Sequence, residues 1–122
     1  MTSYNKDFGA KGENIVVNHL KNKGYQIIGR NIRSRWGEID IIARKQHKLV
    51  FIEVKSRNSL VKGEPYEAIT YFKKKSLKRA IQYYLLQNKY KDYKLSIDMV
   101  AVIFDQSTGL NDVKHYENID TI

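Results

Sequence analysis

The stretch from Gly37 to Arg57 constrains this chain more than any other, because it sets acids inside two segments that otherwise read as buried strands. Gly37-Glu38-Ile39-Asp40-Ile41-Ile42-Ala43 and Leu49-Val50-Phe51-Ile52-Glu53-Val54-Lys55-Ser56-Arg57 are rich in Val and Ile, and Arg44-Lys45-Gln46-His47-Lys48 separates them. Short apolar runs on either side of a polar turn predict a β-hairpin. Asp40 falls within the first strand, while Glu53 and Lys55 close the second. A carboxylate in a buried strand is costly unless it is paired or holds a cation. Two of them on neighbouring strands beside a lysine therefore point to a site.

The flanking sequence predicts the rest of the fold. From about Lys6 to Lys23, Phe8, Gly12, Ile15, Val16, His19 and Leu20 recur at helical spacing, and Gly24 supplies a stop. Tyr25-Gln26-Ile27-Ile28-Gly29-Arg30, running on to Arg33, reads as a strand, so a helix precedes a three-stranded meander. A polar loop with Gly63-Glu64-Pro65 spans Ser56 to Glu67. Beyond it, Ala68 to Gln87 carries Ile69, Phe72, Leu77, Ala80, Ile81, Tyr84 and Leu85 on one side of an amphipathic helix.

Leu95 to Phe104 is a long apolar strand ending in the turn cluster Asp105 to Gly109. The helix before it makes a crossover, which sets this strand parallel to an earlier one. Val113 to Tyr116 adds a short edge strand. The order predicts an α/β fold, a mixed central sheet flanked by helices, and the 122 residues are the size of one domain, 1–122.

Strand parity puts Glu53 and Lys55 on one face. Leu49 to Ile52 is apolar on both faces, so charge appears only at the strand's C-terminal end, where open α/β sheets bind ligands. Mg2+ or Mn2+ takes hard oxygen ligands, and Asp40, Glu53 and the Val54 carbonyl would supply part of an octahedron. Such a cation acidifies water and offsets phosphate charge, and Lys55 beside it would orient or deprotonate the attacking water. That is the chemistry of phosphodiester hydrolysis. Glu13, with Val16, Val17 and Leu20 at i+3, i+4 and i+7, borders the apolar stripe of the first helix and can lean toward the sheet. Plainer alternatives stand beside each reading: a solvated Glu53/Lys55 pair, a salt bridge from Asp40 to Arg30, Arg33 or Arg35, and an exposed Glu13.

Charge points the same way. Twenty-two Lys and Arg against thirteen Asp and Glu give a net charge of +9, a field that attracts polyanions. On the second helix Lys73, Lys74, Lys75, Lys78 and Arg79 form a basic stripe that would contact phosphates. Arg33, Arg35 and Trp36 in the loop entering the hairpin would grip sugar-phosphate or stack on an unpaired base, and Arg57 extends the basic surface. The absence of cysteine excludes disulfides, thiolate zinc sites and cysteine nucleophiles. His19, His47 and His115 show no ligand spacing, which argues against histidine-bound zinc. Asp98 reads as a buried salt bridge or a support for the sheet. With a polar Met1 to Lys11 and no apolar stretch near the roughly 20 residues of a membrane span, a soluble cytoplasmic protein is the expectation.

Glu13, the Gly37 to Ala43 run and Phe51 to Arg57 together resemble the PD-(D/E)xK nuclease superfamily, and in particular the bacterial UPF0102 (YraN-like) family, which looks like a relative of archaeal Holliday-junction resolvases. The resemblance extends to Gly29-Arg30-Asn31, Gly63-Glu64-Pro65, Glu67-Ala68 and Asp98 to Val102. It implies a restriction-endonuclease-like core in which Asp40 and Glu53 bind the metal, Lys55 assists the water and Glu13 is the helix-borne acid. Ile39 stands where the superfamily's name places proline. A metal-dependent endonuclease acting on DNA, with branched DNA as substrate and a two-fold homodimer as assembly, is what the resemblance implies. Two other classes stay open: a nucleic-acid-binding module of nuclease fold without turnover, on DNA or RNA, and an assembly factor whose charge only keeps it in solution.

Overall fold

The first helix, α1 (Ser3–Asn22), stops where the sequence offers glycine. Gly24 has φ +90°, its N–H donates to the Lys21 carbonyl at 3.0 Å, and the Tyr25 N–H donates to the Leu20 carbonyl at 3.0 Å. This pair of bonds satisfies helix-end carbonyls and needs a left-handed residue, which glycine supplies without a Cβ clash. The computed structural model describes residues 3–58, 71–105 and 107–122, with side chains from residue 9 onward. The expected Gly-Pro loop beyond Asn58, the start of the second helix at Ala68 and Ile69, and the Phe8 side chain lie outside the described residues.

The chain continues through β1 (Gln26–Ser34), β2 (Gly37–Lys45), β3 (Lys48–Arg57), α2 (Tyr71–Gln87), β4 (Lys94–Phe104) and β5 (Asn111–Asp120). These strands form one sheet in the order β1-β2-β3-β4-β5. β1, β2 and β3 pair antiparallel, β3 pairs parallel to β4 across the α2 crossover, and β5 returns antiparallel to β4. The mixed sheet and the meander are as the sequence predicts. The hairpin is tighter than expected. Lys45 pairs with Lys48, so only Gln46 and His47 turn, and Gln46 takes φ +56°.

Among the described residues, each face of the sheet is covered by one helix. Val50, Ile52, Val100 and Val102 pack with Val16, Val17 and Leu20 of α1, while Leu49, Phe51 and Ile97 pack with Leu77, Ala80 and Ile81 of α2. Burial on both faces explains why β3 and β4 read as continuous apolar runs. Phe72 corrects the sequence reading: it is 76% exposed, not core, because α2 meets the sheet through Leu77, Ala80 and Ile81 further along. β5 is also longer than the expected Val113 to Tyr116, pairing with β4 from Asn111 to Asp120. An edge strand with one half-covered face carries little apolar signal, so its ends are hard to read from composition. Among the described residues, no helix is long and apolar enough to cross a membrane.

Candidate active site

β2 and β3 stay paired from the turn to Ile41↔Ile52, and there the ladder stops. Continuing the register would set Val54 opposite Ile39. Instead the Val54 N–H donates to Asp40 Oδ2 at 2.8 Å. β2 continues along β1, and β3 continues along β4 as far as Arg57↔Ile103, so the two central strands part at the positions of Asp40 and Glu53. A cavity of about 470 Å³ opens there. Asp40, Glu53, Val54 and Lys55 line it from the sheet, Gly9 and Glu13 from α1, and Lys73 from α2. All four sequence-predicted catalytic residues and the predicted backbone ligand thus border one cavity at the C-terminal end of β3.

Close helix packing brings Glu13 to this place. Gly12 is buried against Ser56 of β3, and a Cβ built on it would lie 1.9 Å from the Ser56 hydroxyl oxygen. Glycine at that position lets α1 approach the strand end without displacing Ser56, and Glu13 follows it directly. Glu13, Glu38 and Asp40 each offer a carboxylate oxygen, and the three lie within 4.8 Å of one another. Arg30 stands 3.7 Å from Glu13 and donates to Asn14 Oδ1 at 2.9 Å, while Arg33 stands 3.5 Å from Glu38. Of the arginines considered as partners for Asp40, Arg30 and Arg33 therefore pair with its acidic neighbours, and Arg35 lies over the Trp36 ring.

The electrostatics single out Asp40. Burial, then the negative charge of Glu53, then Glu13 and Glu38 raise its carboxyl to about 7, against the lowering effect of the Val54 hydrogen bond. Glu53 is buried at 5% exposure, and Lys73 Nζ meets its Oε1 at 2.5 Å. Lys55, half-buried, faces the same cavity. Glu13, Asp40 and Glu53 line the pocket, and Glu38 lies close to the first two, which makes a hard-oxygen donor set of the kind that suits Mg2+ or Mn2+.

The basic residues of α2 do not form a single stripe. Lys73 turns to Glu53, Lys78 reaches Asp120 at 3.2 Å, and Lys74 lies near Tyr116, Glu117 and Ile119 of β5. Lys75 is exposed, and the Arg79 guanidinium lies 5.3 Å from the Trp36 ring centre. Arg35 sits 4.4 Å from the same ring, and Arg57 closes β3, half-buried. Sequence reasoning missed Glu38 and the pairing of Lys73. The signal for Glu38 was present, since it shares strand parity with Asp40; that for Lys73 was not, because only the crossover brings α2 to β3.

Asp98 supports the sheet, as the sequence reading has it. Fully buried on β4, it accepts from Ser96 Oγ at 2.5 Å and the Asn118 N–H at 2.9 Å, and contacts His115 Nε2 at 2.7 Å. Burial pushes its carboxyl up, but the hydrogen bonds from His115, Asn118 and Ser96 outweigh this and hold it below the ordinary value.

Fold and cavity together define an α/β protein in which a mixed sheet between two helices presents an acid-lined pocket where its central strands part. The sequence pattern described as "Uncharacterised protein family UPF0102" matches residues 12–102, and the chain belongs to that family. It is 44% identical over 117 residues to a UPF0102 protein of Alkaliphilus oremlandii, covering 93% of this chain and 97% of the relative. A UPF0102 protein of Clostridium botulinum is 40% identical over 115 residues, with 93% and 94% covered. One of Caldicellulosiruptor saccharolyticus is 39% identical over 113 residues, with 93% and 96% covered.

Proposed function

We propose that this protein is a metal-dependent endonuclease that hydrolyses phosphodiester bonds of DNA, with branched or junction DNA as the substrate class that the resolvase resemblance brings. The observation that carries the reading is the meeting of Glu13, Asp40, Glu53, Val54 and Lys55 on one cavity where β2 and β3 part. Asp40, Glu53 and the Val54 carbonyl are the groups that would hold Mg2+ or Mn2+, with Glu13 as the acid from α1. The cation supplies charge neutralisation and an acidified water. The chain's own part is to hold the acids converged, to keep Asp40 fixed on the Val54 N–H, and to set Lys55 against the attacking water or the phosphate. Arg33, Arg35, Arg57, Lys74, Lys75, Lys78 and Arg79 provide cations for the flanking phosphates. Lys73 supplies Glu53 with a positive charge that a divalent cation would replace, freeing the ammonium for phosphate.

The fit to a hard cation rests on Asp40, whose burial among negative neighbours is relieved by bound positive charge. Incubation with Mg2+ or Mn2+ should nick a four-way junction or a flap. Asp40→Asn should abolish nicking while binding persists. A folded protein that cleaves none of a panel of branched and linear substrates with either metal would overturn the proposal.

The Lys73–Glu53 pair favours a second reading, a nucleic-acid-binding module of nuclease fold without turnover, in which the lysine permanently neutralises the acid. Calorimetric titration of Mg2+ into wild type and Glu53→Gln separates the two: heat in the first and none in the second supports the nuclease. The two-fold homodimer is part of the proposal by analogy with a two-fold junction. Sedimentation with and without junction DNA measures it.

A further inference from the structure

A second cavity, about 780 Å³, lies between the β1–β2 turn and the outer side of α2, and its chemistry differs from that of the acid-lined pocket. Arg33, Arg35 and Arg79 line it, Arg33 with Glu38 3.5 Å away, and among the described lining residues there is no carboxylate. Its aromatic floor is Trp36, half-buried, with the Arg35 guanidinium 4.4 Å and the Arg79 guanidinium 5.3 Å from the ring centre. Tyr83, 43% exposed, and Leu86, 80% exposed, add an apolar wall. Ser34 fixes the turn that presents Arg35 and Trp36: its hydroxyl donates to the Gly37 carbonyl at 3.1 Å and accepts from the Trp36 N–H at 3.1 Å.

Guanidiniums interleaved with aromatic rings are what an unpaired nucleotide needs. Unpaired bases stack on rings and on guanidinium planes alike, while the cations take the phosphates. A paired duplex keeps its base faces inside the stack and cannot place one in a recess. The volume lies within the roughly 300–1,000 Å³ that encloses a small ligand. β2 runs directly from this turn to Asp40, and four residues of strand span about 13 Å, the length of a few nucleotides.

We infer that this cavity binds an unpaired nucleotide of a DNA single strand that lies alongside the acid-lined pocket, so that the substrate is a duplex carrying a single-stranded segment. The placement of that segment near a cleavage point rests on the nuclease reading; the pocket's preference for unpaired DNA does not.

Trp36 is the only tryptophan in the chain, so its fluorescence reports this cavity alone. The test uses Asp40→Asn protein in EDTA, titrated with a 15-nucleotide oligothymidylate and, separately, with a blunt duplex of equal length. The single strand should quench Trp36, and the duplex should bind without quenching. Arg79→Gln and the charge-keeping Arg79→Lys should each weaken the single-strand affinity roughly tenfold by loss of stacking. For Arg79→Gln alone the slope of log affinity against log salt should also fall by about 0.7. Equal quenching by the duplex, quenching unchanged in Arg35→Ala and Arg79→Gln, or a fluorescence change that follows protein concentration without DNA would overturn the inference. Nicking of a junction without quenching would leave the nuclease reading intact and remove this one, and quenching without any nicking would do the reverse.

Discussion

Burial, and behind it the negative charge of Glu53, carry the Asp40 carboxyl from an ordinary 3.8 to about 7, so the native fold resists ionising it. In the unfolded chain this carboxyl gives up its proton near pH 4. Between there and about 7 the folded state binds more protons, so stability falls as pH rises through that window and stays lowered above it. The penalty at pH 8 is on the order of 4 kcal/mol from the two values. Asparagine carries no charge and can still accept from the Val54 N–H. Metal-free Asp40→Asn should therefore melt roughly 12–20 °C above wild type at pH 8 and close to it at pH 4, by calorimetry. Adding Mn2+ should narrow the gap at pH 8. Identical melting of the two proteins at pH 8 would show that Asp40 ionises freely. The site is a place where the fold sacrifices stability.

At the scale of elements, the decisive contact is the approach of α1 to the end of β3. The Gly12 Cβ position lies 1.9 Å from Ser56 Oγ and 3.2 Å from Ser56 Cβ, so an added methyl must rotate the hydroxyl away and move helix and strand apart by a few tenths of an ångström. Gly12→Ala should destabilise the protein by about 1–3 kcal/mol in urea melts, as overpacking of a close contact does. Any activity should fall further than the stability loss explains, because Glu13 moves with the helix. Ser56→Ala in the Gly12→Ala background removes the nearer clash and leaves the 3.2 Å one, so it should recover part of the loss. No effect of Gly12→Ala would mean that the helix seats itself elsewhere. β2 and β3 contribute at the same scale by parting after Ile41↔Ile52, which lets a side-chain carboxylate occupy a place in the ladder.

Across the whole molecule, one buried acid reinforces the ladder that joins β5 to β4. The register of β4 and β5 shifts between Ile97 and Met99, and opposite this point Asn118 takes φ +53° and turns its N–H to Asp98. Ser96 and His115 complete the shell. Removing the charge from a fully buried, hydrogen-bonded carboxylate costs about 2–4 kcal/mol, and Asp98→Asn should lose that much at pH 7. Because the folded carboxyl is held below its unfolded value, this stabilisation is present above about pH 4 and is lost as pH falls through the folded pKa. The deficit of Asp98→Asn in urea melts should therefore shrink toward pH 3. A deficit independent of pH would assign the effect to packing alone.

The central hairpin, the parallel fourth strand and the acids at the end of β3 were legible in the residues, because period-two alternation, turn chemistry and an abrupt change from Ile52 to Glu53 are local signals. Glu53 and Lys55 share a face for the same local reason. Three things belonged to the tertiary structure: the meeting of Glu13 with Asp40, the ion pair of Lys73 with Glu53, and the division of the α2 cations among separate surroundings. Each depends on how a helix crosses the sheet, which is set by packing between segments distant in sequence. The amino-acid order alone fixed which strands form and where charge interrupts them; only the close seating of α1 on Ser56 and the parting of β2 from β3 decided that those charges meet.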